Sequence, residues 1–236
     1  MSATIKSATD FLRRVATRQR YVPPEEEAYR RLASKGFSPA ALIDVGAYHG
    51  DWTRLARRVF GPMPGLMIEA QPGKAAALER MCEQVRNLRF LSAVLGSASG
   101  QSVTFYEMET GSSLLPERSN VERVKRVLVT RTLDEIAGDV AGPLFLKIDV
   151  QGAELQVLSG GTETLGRAAL VQLEVALLPY NEGAPTFLEV IRHMDDRGFV
   201  PFDIAGFSRP TGADLAQIDV LFVDRESPLR LKRFEF

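Results

Sequence analysis

The sequence predicts a Rossmann-like α/β fold with a mostly parallel seven-stranded sheet, a C-terminal antiparallel hairpin and an N-terminal helical arm. Short apolar runs alternate with amphipathic segments along most of the chain, a pattern typical of βα units in a parallel sheet. The last two apolar runs, 199–204 and 218–223, are separated only by a polar loop, which indicates antiparallel pairing. A Gly-containing turn after the first run, 40–45, is typical of the first unit of a nucleotide-binding domain.

Composition and charge exclude several classes of protein. The chain has 236 residues, enough for one large domain, and we expect an arm over 1–38 and a main domain over 39–236. Its 29 basic and 30 acidic residues give a net charge of −1, which provides no general attraction to nucleic acid. No apolar run reaches the ~20 residues that a bilayer requires. Cys82 is the only cysteine, so we expect no intrachain disulfide and a reducing, cytoplasmic location.

The arm is predicted to contain two helices. Apolar and arginine residues interleave between residues 5 and 20, which indicates an amphipathic helix, and the N-terminus lacks the apolar core of a signal peptide. Pro23-Pro24 followed by three glutamates predicts the start of a second helix, and Gly36 predicts its end. We expect the arm to close over the site or to form a homodimer contact.

The remaining elements follow in order from apolar periodicity and from Gly or Pro breaks. Predicted strands cover 65–69, 89–95, 102–107, 126–131, 144–149 and 170–176, and predicted helices cover 51–60, 73–84, 152–158, 185–197 and a short segment from 132. The charged segment 109–124 is predicted to be a surface loop or a lid beside the site.

Asp44 indicates which cofactor the first turn binds. It stands where a dinucleotide motif has its first glycine, and a carboxylate there would repel a diphosphate. It suits S-adenosylmethionine (SAM), which carries an ammonium and a sulfonium and no phosphate. Glu69 ends the second strand, where an acidic side chain receives ribose hydroxyls in nucleotide folds. The predicted cofactor contacts are Asp44, Gly46, Ala47, Tyr48, Gly50, Glu69, Ala70, Ser92 and Ala93. A structural alternative for Asp44 is capping of the next helix.

Charged residues also interrupt the apolar strands farther along the chain. Lys147 and Asp149 share one face of a strand, and Glu174 lies near the end of the next. Such groups are costly to bury unless they are paired or used. Asp149 and Glu174 could act as a base, hold sugar hydroxyls or bind a divalent metal, and a structural ion pair is the alternative. His49, in the first turn, is another possible base.

These motifs resemble the FkbM family of SAM-dependent methyltransferases over residues 39–225. The resemblance rests on Ile43–Ala47, Ile68–Pro72, Thr132–Asp134, Leu146–Glu154, Val157–Gly160, Leu173–Val175 and Asp219–Val223. The family often has Asn where this chain has Tyr48 and usually has Glu where it has Gln151. The second difference makes Gln151 a poor base or metal ligand.

The resemblance implies a Rossmann-like class I methyltransferase and O-methylation, often of a sugar hydroxyl in a glycan, glycolipid or antibiotic. Two other functions compete with this interpretation. Asp44 argues against a nicotinamide-dependent oxidoreductase. The charges within the strands argue against a binding module without catalytic activity.

Overall fold

The computed structural model describes residues 23–178, 180–210 and 212–230. The helices are α1 (Pro24–Ser34), α2 (Asp51–Phe60), α3 (Pro72–Gln84), α4 (Leu133–Ala137), α5 (Glu154–Ser159), α6 (Thr162–Leu165) and α7 (Phe187–Asp195). The strands are β1 (Ala41–Val45), β2 (Gly65–Glu69), β3 (Leu88–Ser92), β4 (Val94–Leu95), β5 (Ser102–Glu107), β6 (Val124–Arg131), β7 (Leu144–Ile148), β8 (Ala168–Ala176), β9 (Phe199–Ser208) and β10 (Gln217–Asp224). A 3₁₀ turn covers Glu109–Gly111.

Seven strands form the main sheet in the order β3-β2-β1-β7-β8-β10-β9. Neighbouring strands are parallel from β3 to β8, whereas β10 runs antiparallel to both β8 and β9. The predicted fold class is therefore confirmed. The strand order reverses between β1 and β7, which pair directly, and ligands of open α/β sheets bind at the carboxyl ends of the strands at such a point.

The third predicted strand, 89–95, is wrong as a single element. β3 ends at Ser92, and β4 leaves the main sheet to pair with β6 in a smaller sheet of order β4-β6-β5. Val94 and Leu95 are buried, so the apolar run continues through the change of sheet and hides the break. This change of sheet brings β4 and β5 to the carboxyl edge of the main sheet.

Helix α1 packs against the main domain. Tyr29 is fully buried, and its ring meets Phe145 edge-on with centroids 5.3 Å apart. The indole N–H of Trp52, on α2, donates to the Tyr29 hydroxyl. The second arm helix is confirmed at 24–34, and Gly36 follows it with a φ of +86°. The first predicted arm helix lies outside the described residues, and the roles expected of the arm stay predictions.

The segment after β7 is less helical than predicted. Helix α5 begins at Glu154 rather than at 152, because Gln151 and Gly152 both have positive φ values, 56° and 101°. The short helix α6 was not predicted. In the part of the chain that the structure describes, no helix is long and apolar enough to cross a membrane.

Candidate active site

A cavity of about 220 Å³ lies at the carboxyl ends of β1, β2 and β7. The predicted site residues that line it are Gly46, Ala47, Tyr48, His49, Glu69, Ala70, Ala93, Lys147 and Asp149. Four others, Asp44, Gly50, Ser92 and Glu174, do not line it. Most of the residues predicted to form the site therefore line one cavity at one edge of the sheet, and their functional roles stay predictions.

The turn after β1 is shaped by close backbone contacts. Gly46 has a φ of +78°, and a Cβ at this position would overlap the carbonyl oxygen of Asp149. Tyr48 also has a positive φ, 48°, which is uncommon for a residue other than glycine. The N–H groups of Gly46 and Ala47 both donate to the carbonyl oxygen of Ile68, 2.9 and 3.1 Å away. These bonds fix the turn against the end of β2, where Glu69 follows.

Glu69 is held by backbone groups. One carboxylate oxygen accepts from the N–H of Tyr48 and the other from the N–H of Gln71, both at 2.8 Å. The side chain is buried and lines the cavity. Each carboxylate oxygen can accept a second hydrogen bond. Glu69 can therefore accept hydrogen bonds from two hydroxyls of a ribose in the cavity. These two acceptor oxygens fit the ribose of SAM.

Asp44 lies below the turn instead of in the cavity. Its Oδ2 accepts from the Thr53 hydroxyl at 2.7 Å, and its Oδ1 is 3.7 Å from Nζ of Lys147 without a hydrogen-bond partner. Burial raises the pKa of Asp44, although Lys147 and Thr53 oppose the shift. The ammonium of Lys147 thus supplies the positive charge that we expected from the cofactor. Direct contact between Asp44 and SAM stays a prediction.

The carboxyls at the ends of β7 and β8 have pKa values shifted in opposite directions. Nζ of Lys147 is 3.1 Å from Oδ2 of Asp149. Burial would raise the pKa of Asp149, but Lys147 and a hydrogen bond from Gln151 outweigh it and hold that pKa below its usual value. Burial and the charge of Asp149 raise the pKa of Glu174 well above its usual value. Asp149 therefore loses its proton at a lower pH than Glu174, a division typical of acid–base sites.

Sequence reasoning missed the role of Gln151. Its Nε2 donates to Oδ1 of Asp149 at 3.0 Å and also to Glu174. Its Oε1 accepts from the Tyr180 hydroxyl at 3.2 Å and from Nε2 of Gln217 at 3.4 Å. These residues lie far apart in the sequence. The sequence signal at this position is the replacement of the family's usual glutamate by an uncharged glutamine.

The predicted lid borders the cavity. Thr110, Ser112 and Leu114 line it, and Glu109 accepts hydrogen bonds at 2.7 Å from the Tyr48 hydroxyl and from Nζ of Lys74. These two bonds attach the loop to the turn after β1 and to helix α3.

A metal site is not evident in residues 23–178, 180–210 and 212–230. No group of three or more His, Cys, Asp or Glu side chains in these ranges is arranged to hold a metal ion. Asp149 and Glu174, the two predicted metal ligands, are bridged by the Gln151 amide.

The doubly wound sheet, the cavity at its switch point and the acidic end of β2 are features typical of nucleotide-binding folds. A model of the Methyltransferase FkbM domain matches residues 44–201, more than half of the chain. The chain therefore belongs to the FkbM methyltransferase family.

Solved methyltransferase structures resemble the chain at low sequence identity. FkbM from Methylobacillus flagellatus KT matches 78% of this chain and 43% of its own, with a TM-score of 0.49 and 16% identity. EvdMO1 matches 86% of this chain and 41% of its own, with a TM-score of 0.48 and 13% identity. This chain spans less than half of each of these two proteins.

A third solved structure is closer to this chain in length. Burkholderia thailandensis 1,6-didemethyltoxoflavin-N1-methyltransferase, with bound 1,6-didemethyltoxoflavin and S-adenosylhomocysteine, matches 94% of this chain and 86% of its own. Its TM-score is 0.47 and its identity 11%. No curated protein matches the sequence.

Proposed function

We propose that this protein transfers the methyl group of SAM to a hydroxyl, and that the hydroxyl belongs to a sugar of a glycan, glycolipid or natural product. The observation that carries the proposal is the carboxylate of Asp149 in the cavity wall, 3.1 Å from Nζ of Lys147 and joined to Glu174 through the Gln151 amide. A hydroxyl must lose its proton when it is methylated, and Asp149, which lines the cavity, would accept it.

The cofactor side of the proposal rests on the donor set around the turn after β1. Glu69 would hold the ribose hydroxyls, and the backbone from Gly46 to His49 would surround the methionine part. Apolar side chains on β4 and β5, Leu95 and Phe105, line the region that would take the adenine. When bound, SAM supplies an electrophilic methyl group on a sulfonium.

Asp149 would accept the hydroxyl proton late in the reaction. A nearby ammonium stabilises the charged form of a carboxyl group, so Lys147 keeps Asp149 ionised and also makes it a weaker base. Low basicity suffices, since the acceptor oxygen becomes much more acidic as its new bond to carbon forms. Because the reaction is an in-line displacement, much of the remaining rate enhancement comes from alignment of the acceptor.

The lining supports a polyhydroxyl acceptor. Beside Asp149, the cavity wall contains the amides of Gln71 and Gln151, the Ser112 hydroxyl and the indole of Trp52. The Gln71 amide and the Ser112 hydroxyl can donate to and accept from sugar hydroxyls, the Asp149 carboxylate can accept from them, and an indole ring can cover an apolar sugar face.

Turnover of SAM tests the proposal. S-adenosylhomocysteine formation is measured against deoxysugar nucleotides and glycolipids, with amine acceptors as a parallel series, and the product is analysed by NMR to locate the new methyl group. We expect an O-methyl sugar. Turnover with amines alone would contradict O-methylation, and SAM binding without turnover on any acceptor would favour a binding module.

Two further measurements separate the remaining alternatives. Titration with NADP in place of SAM tests the oxidoreductase. Assays with a chelator, followed by Mg²⁺ or Mn²⁺, test the metal: activity that is lost with the chelator and restored by the ion would show that the reaction requires a divalent metal.

A further inference from the structure

Gln151 has an unusual backbone conformation that two side chains stabilise. Its φ is 56°, in the left-handed region that residues with side chains rarely adopt. Its carbonyl oxygen accepts from the hydroxyl of Ser113 at 2.8 Å and from Nδ2 of Asn181 at 2.6 Å. Both partners are buried and come from different loops. Strain of this kind persists only where the surroundings fix it, and it clusters at functional sites.

The same contacts fix which end of the Gln151 amide faces the carboxyls. Nε2 of Gln217 donates to the Tyr180 hydroxyl, so the hydroxyl hydrogen of Tyr180 is free to donate to Oε1 of Gln151. Oε1 therefore faces donors, and Nε2 faces Asp149 and Glu174. Since an ionised carboxylate can only accept, this is the orientation that the site requires.

The surroundings of Asp149 contain several acids and one cation. The titratable groups that face it are Asp44 from β1, Lys147 from β7, Glu174 from β8, Asp219 from β10, Glu154 from helix α5 and Tyr180 from the loop after β8. Lys147 lies on one side of Asp149 and contacts Oδ2, whereas the Gln151 amide contacts Oδ1. The two carboxylate oxygens thus have different donors.

We propose that Gln151 is a positioning residue: its Nε2, which donates to Asp149 and Glu174, holds the Asp149 carboxylate in its proton-accepting form. The functional meaning of this inference rests on the proposed role of Asp149 as the acceptor's base. A glutamate at position 151 would have the same size but would place a third carboxylate against the other two. Asp149 would then keep a proton to a higher pH.

Carboxyl NMR of the chain without cofactor or acceptor tests this directly. The protein is labelled at the γ-carbon of aspartate, the Asp149 signal is assigned by its loss in Asp149→Asn, and the titration is repeated in Gln151→Glu. We expect the midpoint for Asp149 to rise by about one pH unit or more. Gln151→Met, which removes the donor without adding charge, should give a smaller rise. Gln156→Glu, the same change on the exposed face of α5, should leave the midpoint unchanged.

Superimposable titrations of the wild type and Gln151→Glu would overturn the inference. Calorimetry with S-adenosylhomocysteine checks that each variant is folded. If Gln151→Glu fails to bind, the titration of Gln151→Met is compared with that of the wild type instead. On an acceptor found in the turnover assay, the acid limb of the kcat profile should move with the NMR midpoint. A loss of kcat that is equal at every pH would show a merely structural role. Because the NMR titration needs no turnover, failure of the proposed function and failure of this inference give different results.

Discussion

The two sides of the cavity present their carboxylates by different means. On the β1–β2 side, Glu69 is held by the backbone N–H groups of Tyr48 and Gln71, which are close to it in the fold and in the sequence. On the β7–β8 side, Asp149 is held by the side chains of Lys147 and Gln151. The first carboxylate depends on chain conformation, and the second depends on a network of buried polar side chains.

This difference has consequences for the effects of substitution. Backbone donors remain when neighbouring side chains change, so the β1–β2 side should lose only the contacts of the residue that is replaced. In the β7–β8 network, the loss of one partner leaves another buried charge or polar group unsatisfied. We therefore expect larger and more pH-dependent effects on the β7–β8 side.

The largest effect is expected for Asp149→Asn. The amide has the shape of the carboxylate but cannot accept the acceptor's proton, so turnover should fall by about two to four decades. The dissociation constant of SAM should change little, because the proposed cofactor contacts lie on the β1–β2 side. Single-turnover kinetics and calorimetry measure the two quantities.

Glu79→Gln, on the exposed face of α3, is the control for Asp149→Asn. Near-normal turnover in Asp149→Asn would mean that the Lys147–Asp149 pair is structural, and the proposed mechanism would be abandoned.

Glu69→Ala tests the opposite side of the cavity. A charge-assisted hydrogen bond contributes roughly 1.5–3 kcal/mol, so SAM binding should weaken by about one to two decades. The kcat at saturating SAM should fall far less than in Asp149→Asn. Glu79→Ala is the matched control, and calorimetry is the measurement. Unchanged affinity in Glu69→Ala would remove Glu69 from the cofactor site and erase the distinction between the two sides.

The fold was largely predictable because its signals are local. β1, α2 and β2 were predicted within one residue of their observed bounds, since each is an apolar or amphipathic run that Gly or Pro interrupts. The division of 89–95 into β3 and β4 was not predictable, because both halves are apolar and the change of sheet depends on pairing with β6.

The part of the candidate site that lies at the ends of the strands was predictable from the sequence. Asp149 and Glu69 follow from the rule that ligands meet the carboxyl ends of parallel strands. The hydrogen bonds from Tyr180 and Gln217 to Gln151 were not predictable, because they depend on which side chains tertiary packing brings together. For the same reason the sequence did not show that Lys147 lies close enough to Asp44 to compensate its charge.

A stability measurement examines the β7–β8 side without any ligand. Glu154 is buried, and its Oε1 accepts from the N–H groups of Val150 and Gly152, which fixes the chain around Gln151. Burial raises the pKa of Glu154 to about 7 in the folded protein, from an ordinary value of 4.5. Between these values the folded state binds more protons than the unfolded state, so this contribution to stability is present at low pH and is lost as pH rises.

Glu154→Gln should remove this dependence. From pH 5 to pH 7 the wild type should lose on the order of 2 kcal/mol of unfolding free energy relative to Glu154→Gln, as measured by urea denaturation. Glu79→Gln should follow the wild type. Parallel curves for the wild type and Glu154→Gln would show that Glu154 is ionised throughout this range.

The smallest effect is expected for His49→Ala. His49 lines the cavity, but it is exposed and its ring stacks on Tyr48 with centroids 4.0 Å apart, outside the network that holds Asp149. Loss of a general base costs about two to four decades in rate, whereas a side chain that removes no proton should matter far less, so turnover should stay within about threefold of the wild type. The pH–rate profile should keep its acid limb, because that limb reports the base. If His49 were the base instead of Asp149, His49→Ala would show the loss of two or more decades and Asp149→Asn would not. Side-by-side turnover of the two variants on one acceptor therefore decides which side of the cavity removes the proton.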